Sequence, residues 1–121
     1  MNCCRNTFLI LLLGAVAVAR LYAHAFVDHA EPAVGSKVKQ IPLEVRLWFT
    51  EPVEPVLSSI RVFDAKGRQI DKKDAHPDAK NKALLRVSLP LLTPGTYRVV
   101  WRAVSMDTHV TNGDFTFRTI P

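Results

Sequence analysis

The chain is poor in the residues that make the commonest covalent and soft-metal chemistry. It has 2 cysteines in 121 residues, Cys3 and Cys4, and 2 methionines, Met1 and Met106. Both cysteines lie ahead of the first apolar run, so the segment after that run has no thiol, and disulfide frameworks and thiolate metal sites are excluded there. A single methionine beyond the run argues against a methionine-built soft-metal site. No segment carries a sustained helical period, which excludes bundles and coiled coils. There is no internal repeat, and no long apolar stretch outside the first twenty-odd residues.

That first stretch reads as an address. Arg5 supplies a positive start, and every residue from Phe8 to Ala19 is apolar or glycine. Such a run is short for a membrane span, which needs about 20 apolar residues, and small residues follow where a signal peptidase cuts. Residues 1–23 are therefore expected to be a secretory signal peptide and residues 24–121 one exported domain. Cleavage after Ala25 fits the small-x-small rule through Ala23-His24-Ala25; cleavage after Ala23 places Leu21 at the −3 position and makes His24 the first residue. With Arg5 and Arg20 removed, 14 basic residues face 11 acidic ones, a net charge of +3 of mixed distribution. This is no nucleic-acid footprint, which needs a basic stripe.

Alternation of period two recurs in the remainder. Leu43, Val45, Leu47 and Phe49 alternate with Glu44, Arg46 and Trp48; Tyr97, Val99, Trp101 and Ala103 alternate with Arg98, Val100 and Arg102. Ile60/Val62, Leu85/Val87/Leu89 and Phe115/Phe117 follow the same rule. Half-buried strands have this pattern. Turns are expected at Lys66-Gly67, Thr93-Pro94-Gly95 and Asn112-Gly113. Residues 71–82, DKKDAHPDAKNK, are expected to form an exposed, mobile loop. The fold class is all-β, a Greek-key barrel or sandwich.

Four histidines are candidates for chemistry: His24, His29, His76 and His109. His76 in the charged stretch and His29 near the first strand read as surface residues. If the peptidase cuts after Ala23, His24 offers two donors, its α-amine and its imidazole, and the amine's ordinary pKa near 7.7–8.0 lets a metal displace its proton near neutrality. Asp107 and His109, two apart at the end of the best-patterned strand, would point the same way in extended backbone. Together the set is three nitrogens and one oxygen, which suits tetragonal Cu(II) better than tetrahedral Zn(II).

The residues that carry this set also carry a resemblance. His24-Ala25, the run Pro32-Ala33-Val34-Gly35-Ser36, Leu47-Trp48-Phe49-Thr50-Glu51-Pro52-Val53, and above all Pro94 to His109, with WRAVSMDTH, resemble the CopC family of periplasmic copper-resistance proteins. The resemblance covers nearly all of residues 24–121. It implies a Greek-key β-barrel or sandwich of cupredoxin or immunoglobulin type that binds Cu(II) through the amine and imidazole of His24, Asp107 and His109. It places Glu51 near the metal as a weak axial ligand or neighbouring acid, and favours cleavage after Ala23, since cleavage after Ala25 would remove a ligand. The methionine- and histidine-rich loop of Cu(I)-binding members is replaced here by residues 71–82, and Asp28 and His29 stand where the family commonly has neutral residues.

The function this implies is that of a periplasmic copper carrier or buffer, acting by chelation and not catalysis. Expected partners are the copper ion and an inner-membrane importer of CopD type or a periplasmic multicopper oxidase, with the chain a monomer. Two other classes remain: a copper mono-oxygenase with a histidine brace, disfavoured because Asp107 would fill an equatorial position that oxygen needs, and a metal-free exported immunoglobulin-like interaction module.

Overall fold

The structure, a computed structural model, describes residues 25–121. The expected signal peptide, its cleavage point and His24 lie outside the described residues.

Eight strands follow in order: β1 (Val27–Glu31), β2 (Lys37–Val38), β3 (Glu44–Phe49), β4 (Ser59–Phe63), β5 (His76–Pro77), β6 (Leu84–Ser88), β7 (Gly95–Val104) and β8 (Val110–Thr119). They form two four-stranded sheets, β1-β3-β6-β5 and β2-β8-β7-β4. All pairings are antiparallel except β2 with β8. The expected all-β Greek-key fold is present, as a sandwich of two sheets.

The alternation explains the layers. In β3, Val45, Leu47 and Phe49 are buried while Glu44, Arg46 and Trp48 are only partly covered. They face Val62, Val99, Trp101 and Phe117 of the second sheet across one continuous apolar cluster. Removing each such side chain from water contributes about 1.5–3 kcal/mol. Two aromatic contacts help lock the core: Phe49 meets Trp101 edge-on at 5.6 Å, and Tyr97 stacks with Phe117 at 5.5 Å.

Four expectations require correction. Asn112-Gly113 is no turn: both residues lie inside β8, opposite Arg102 and Trp101. Gly113 is needed because the Trp101 indole occupies the place of its missing side chain; a Cβ there would fall 2.8 Å from Nε1 and closer still to Cζ2. Gly95 likewise opens strand β7 and is not a turn residue, while Thr93 before it is pinned through its carbonyl, which accepts from the Tyr97 hydroxyl at 2.7 Å and from Thr119 Oγ1 at 2.9 Å. Leu43 stands outside β3 and is 72% exposed, so the apolar stripe there begins at Val45.

The charged stretch 71–82 is the fourth, and only in part: it is mostly exposed, as expected, but it is anchored. Its start is anchored by the buried Asp71, whose Oδ1 accepts from Val62 N at 2.8 Å and whose Oδ2 accepts from Lys73 N at 3.1 Å. Its middle forms edge strand β5 on β6, and Asp74 Oδ1 accepts from Ser88 N at 2.8 Å. The carboxylates counted in the sequence as charges thus serve partly as acceptors for backbone N–H groups. The Lys66-Gly67 turn forms as expected, with Gly67 at φ +77° and Gly67 N donating to Asp64 O at 3.0 Å.

Candidate metal centre

Strands β7 and β8 are the longest of the fold, ten residues each, paired without interruption from Gly95–Thr119 to Val104–Val110. Residues 105–109 are the turn that joins them. Ser105 N donates to His109 O at 3.0 Å and Thr108 N to Ser105 O at 2.9 Å, and Thr108 adopts a left-handed φ of 69°. The pair Asp107 and His109 therefore sits in a tight turn, not in the extended backbone expected from their spacing. They converge all the same: His109 Nδ1 lies 3.0 Å from Asp107 Oδ2.

Ser105 organises this turn and was given no role by the sequence reading. It is fully buried. Its hydroxyl donates to Asp107 Oδ1 and accepts from His109 N at 3.3 Å. The Ser105 hydroxyl, against the opposing effect of desolvation, together with the neighbouring His109, holds the Asp107 carboxyl below its ordinary value of 3.8. Hydrogen bonds that favour the charged form act in this direction. The signal was a serine two before an aspartate and four before a histidine, a spacing that a side-chain-to-backbone turn uses. Asp107 stays ionised and half-open to solvent, with side-chain exposures of 32% for Asp107 and 42% for His109.

Two further segments are tied to this end of the sandwich. Val53 bridges Ser105, and Glu54 N donates to Val104 O at 2.8 Å, so the loop that carries the half-buried Glu51 runs beside the turn. Ala25 is buried, and its carbonyl accepts from Thr111 Oγ1, two residues beyond His109. Phe26 and Thr50 exchange hydrogen bonds at 3.0 and 2.8 Å. The start of the described chain is thus fixed between the Glu51 loop and β8. Among the described residues, no group of three or more His, Cys, Asp or Glu side chains gathers as a metal site; the turn presents two donors.

The other two histidines lie elsewhere. His76, on edge strand β5, is exposed, with Nδ1 2.7 Å from Asp74 O. His29, on β1, is paired with Asp28 and stacked on Trp48.

The family model described as the CopC domain matches residues 27–119, almost all of the described chain. The chain belongs to the CopC family. It is 34% identical over 110 residues to protein YobA of Escherichia coli K12, covering 90% of this chain and 89% of that one. It is 31% identical over 117 residues to copper resistance protein C of Xanthomonas campestris pv. juglandis, covering 92% and 91%. The crystal structure of CopC from Methylosinus trichosporium OB3b superposes with a TM-score of 0.76 at 33% identity, covering 81% of this chain and 95% of that one. Family and fold agree along the chain, and the function of this CopC protein is a copper-related one. Among the described residues no helix is long and apolar enough to cross a membrane.

Proposed function

We propose that this CopC protein is a periplasmic carrier or buffer that holds one Cu(II) ion as cargo, by chelation and without catalysis. The donors are the α-amine and imidazole of His24, created by cleavage after Ala23, with the Asp107 carboxylate and the His109 imidazole; Glu51 stands by as a weak axial ligand or neighbouring anion.

The observation that carries this reading is the separation of 3.0 Å between His109 Nδ1 and Asp107 Oδ2. Two donors each about 2.0 Å from one metal at a right angle would stand about 2.8 Å apart. The pair therefore needs little rearrangement to become adjacent ligands. An ionised carboxylate also helps balance the charge of a divalent ion, and the hydrogen bond from Ser105 favours that charged form. Residue 24 directly precedes Ala25, whose carbonyl is held by Thr111 on the strand that His109 leads into. The set has no sulfur, which favours Cu(II) over Cu(I).

The cargo would pass to an inner-membrane importer of CopD type or to a periplasmic multicopper oxidase, with the carrier monomeric. A one-equivalent Cu(II) titration followed by EPR, on protein made by native export, tests the reading. A 1:1 complex with a tetragonal, nitrogen-rich spectrum is expected. Substoichiometric binding on a chain shown by intact mass to begin at His24 refutes it.

A further inference from the structure

A second aspartate–histidine pair stands on the outer face of the first sheet. In an uninterrupted strand the adjacent residues Asp28 and His29 would point to opposite faces. The pairing of β1 with β3 slips at this point: Val27 faces Phe49 and His29 faces Trp48, leaving Asp28 as the extra residue of a bulge. Bulges re-aim side chains, and here Asp28 Oδ2 comes within 3.0 Å of His29 Nδ1, the same separation as in the β7–β8 turn.

The imidazole is held as well as paired. Its ring lies on the Trp48 indole with centroids 4.1 Å apart and planes 13° from parallel. Arg46, also over Trp48 at 5.4 Å, is bound to Glu31 and, at 3.4 Å, to Glu44. The patch thus offers an oriented N,O donor pair, open to water, whose positive neighbour is neutralised. His76, by contrast, has its Nδ1 2.7 Å from the Asp74 backbone carbonyl, while the Asp74 carboxylate accepts from Ser88 N.

We propose that Asp28 and His29 form a second, weaker site for a divalent first-row metal ion, Cu(II) foremost by the Irving–Williams order, seated against Trp48. Water completes the coordination sphere, so this site fills after any site with more protein donors. It does not depend on which residues take the first ion.

The experiment uses natively exported protein and Cu(II) alone as the probe, reading indole emission through a two-equivalent titration. Cu(II) quenches a nearby indole, and Trp48 lies against His29 whereas Trp101 is in the core. The second equivalent is expected to quench emission, and Trp48→Phe to remove that step. His29→Ala and Asp28→Asn, both at exposed positions, should each weaken the second step at least tenfold while the EPR spectrum of the first equivalent stays unchanged. His76→Ala should alter neither step. Second-step quenching that survives His29→Ala, or that disappears with His76→Ala, overturns the proposal. If the first equivalent instead persists in His109→Ala, the carrier reading fails while the His29-dependent step is judged as before.

Discussion

His109 Nδ1 stands 3.0 Å from Asp107 Oδ2 at the tip of the longest hairpin, and the other oxygen of that carboxylate accepts from the buried hydroxyl of Ser105. Three residues of a five-residue turn thus fix an acid and an imidazole on ten-residue strands anchored in the core. Side chains placed this way are set before any metal arrives, so little ordering cost falls on binding.

Removing either member of the pair should abolish tight Cu(II) binding. His109→Ala and Asp107→Asn are each expected to weaken it by more than a hundredfold, with the thermal midpoint of the metal-free protein lowered less than by loss of a core side chain, because both side chains are partly exposed. Competition against a calibrated chelator measures the first effect and thermal unfolding the second.

Ser105→Ala separates positioning from ligation. The variant keeps all proposed donors but leaves Asp107 Oδ1 without its hydroxyl donor and deletes a hydrogen bond at a buried position. A loss of about 1 kcal/mol of stability is expected, with the Asp107 carboxyl returning upward towards 3.8. Carboxylate titration by NMR should record the rise, together with a smaller loss of copper affinity than in Asp107→Asn.

Copper affinity should fall with acid, because protons compete with the metal for its donors. Asp107, whose folded-state value lies below 3.8, keeps its charge further into the acid range than an ordinary carboxylate. For the metal-free fold the sign is that of a depressed carboxylate: its contribution is present above the ordinary value and is lost as pH falls through the lower folded value. Asp64, held low by backbone N–H and side-chain bonds involving Arg68, and Asp74, held low by Ser88, act in the same direction. Circular dichroism alongside copper retention across an acid series separates release from unfolding.

Two substitutions test the frame that carries the turn. Gly113→Ala drives a methyl group into the Trp101 ring; overpacking of this kind costs about 1–3 kcal/mol, or roughly 4–8 °C of Tm per kcal/mol in a domain of this size. Asp71→Ala leaves the buried Val62 N–H without its acceptor, a loss of about 1–3 kcal/mol. Denaturant unfolding should show both losses.

How far these features could be read from sequence differs by residue. Val45, Leu47, Phe49, Val99 and Trp101 announce their strands because one face of each strand is buried, and burial imposes the period of two. Asn112-Gly113 misleads because glycine serves two purposes: it permits a turn, and it leaves room for a ring. Only the register that sets Gly113 opposite Trp101 distinguishes them. The charged run 71–82 looks unanchored because a carboxylate accepting backbone N–H bonds, as Asp71 and Asp74 do, has the same letter as a solvated one. The nearness of Asp107 and His109 is legible from their spacing, yet its cause is a turn with Thr108 left-handed and Ser105 buried, not an extended strand. The bulge that pairs Asp28 with His29 leaves no mark in the sequence, since it depends on the slip of β1 against β3.

The most direct measurement is a Cu(II) titration with EPR on natively exported protein whose intact mass has been determined. The account predicts a chain beginning at His24 that takes up one tightly held equivalent, with a tetragonal, nitrogen-rich spectrum lost in His109→Ala. A chain beginning at His24 that binds no stoichiometric copper, or binds it equally well without His109, would contradict it.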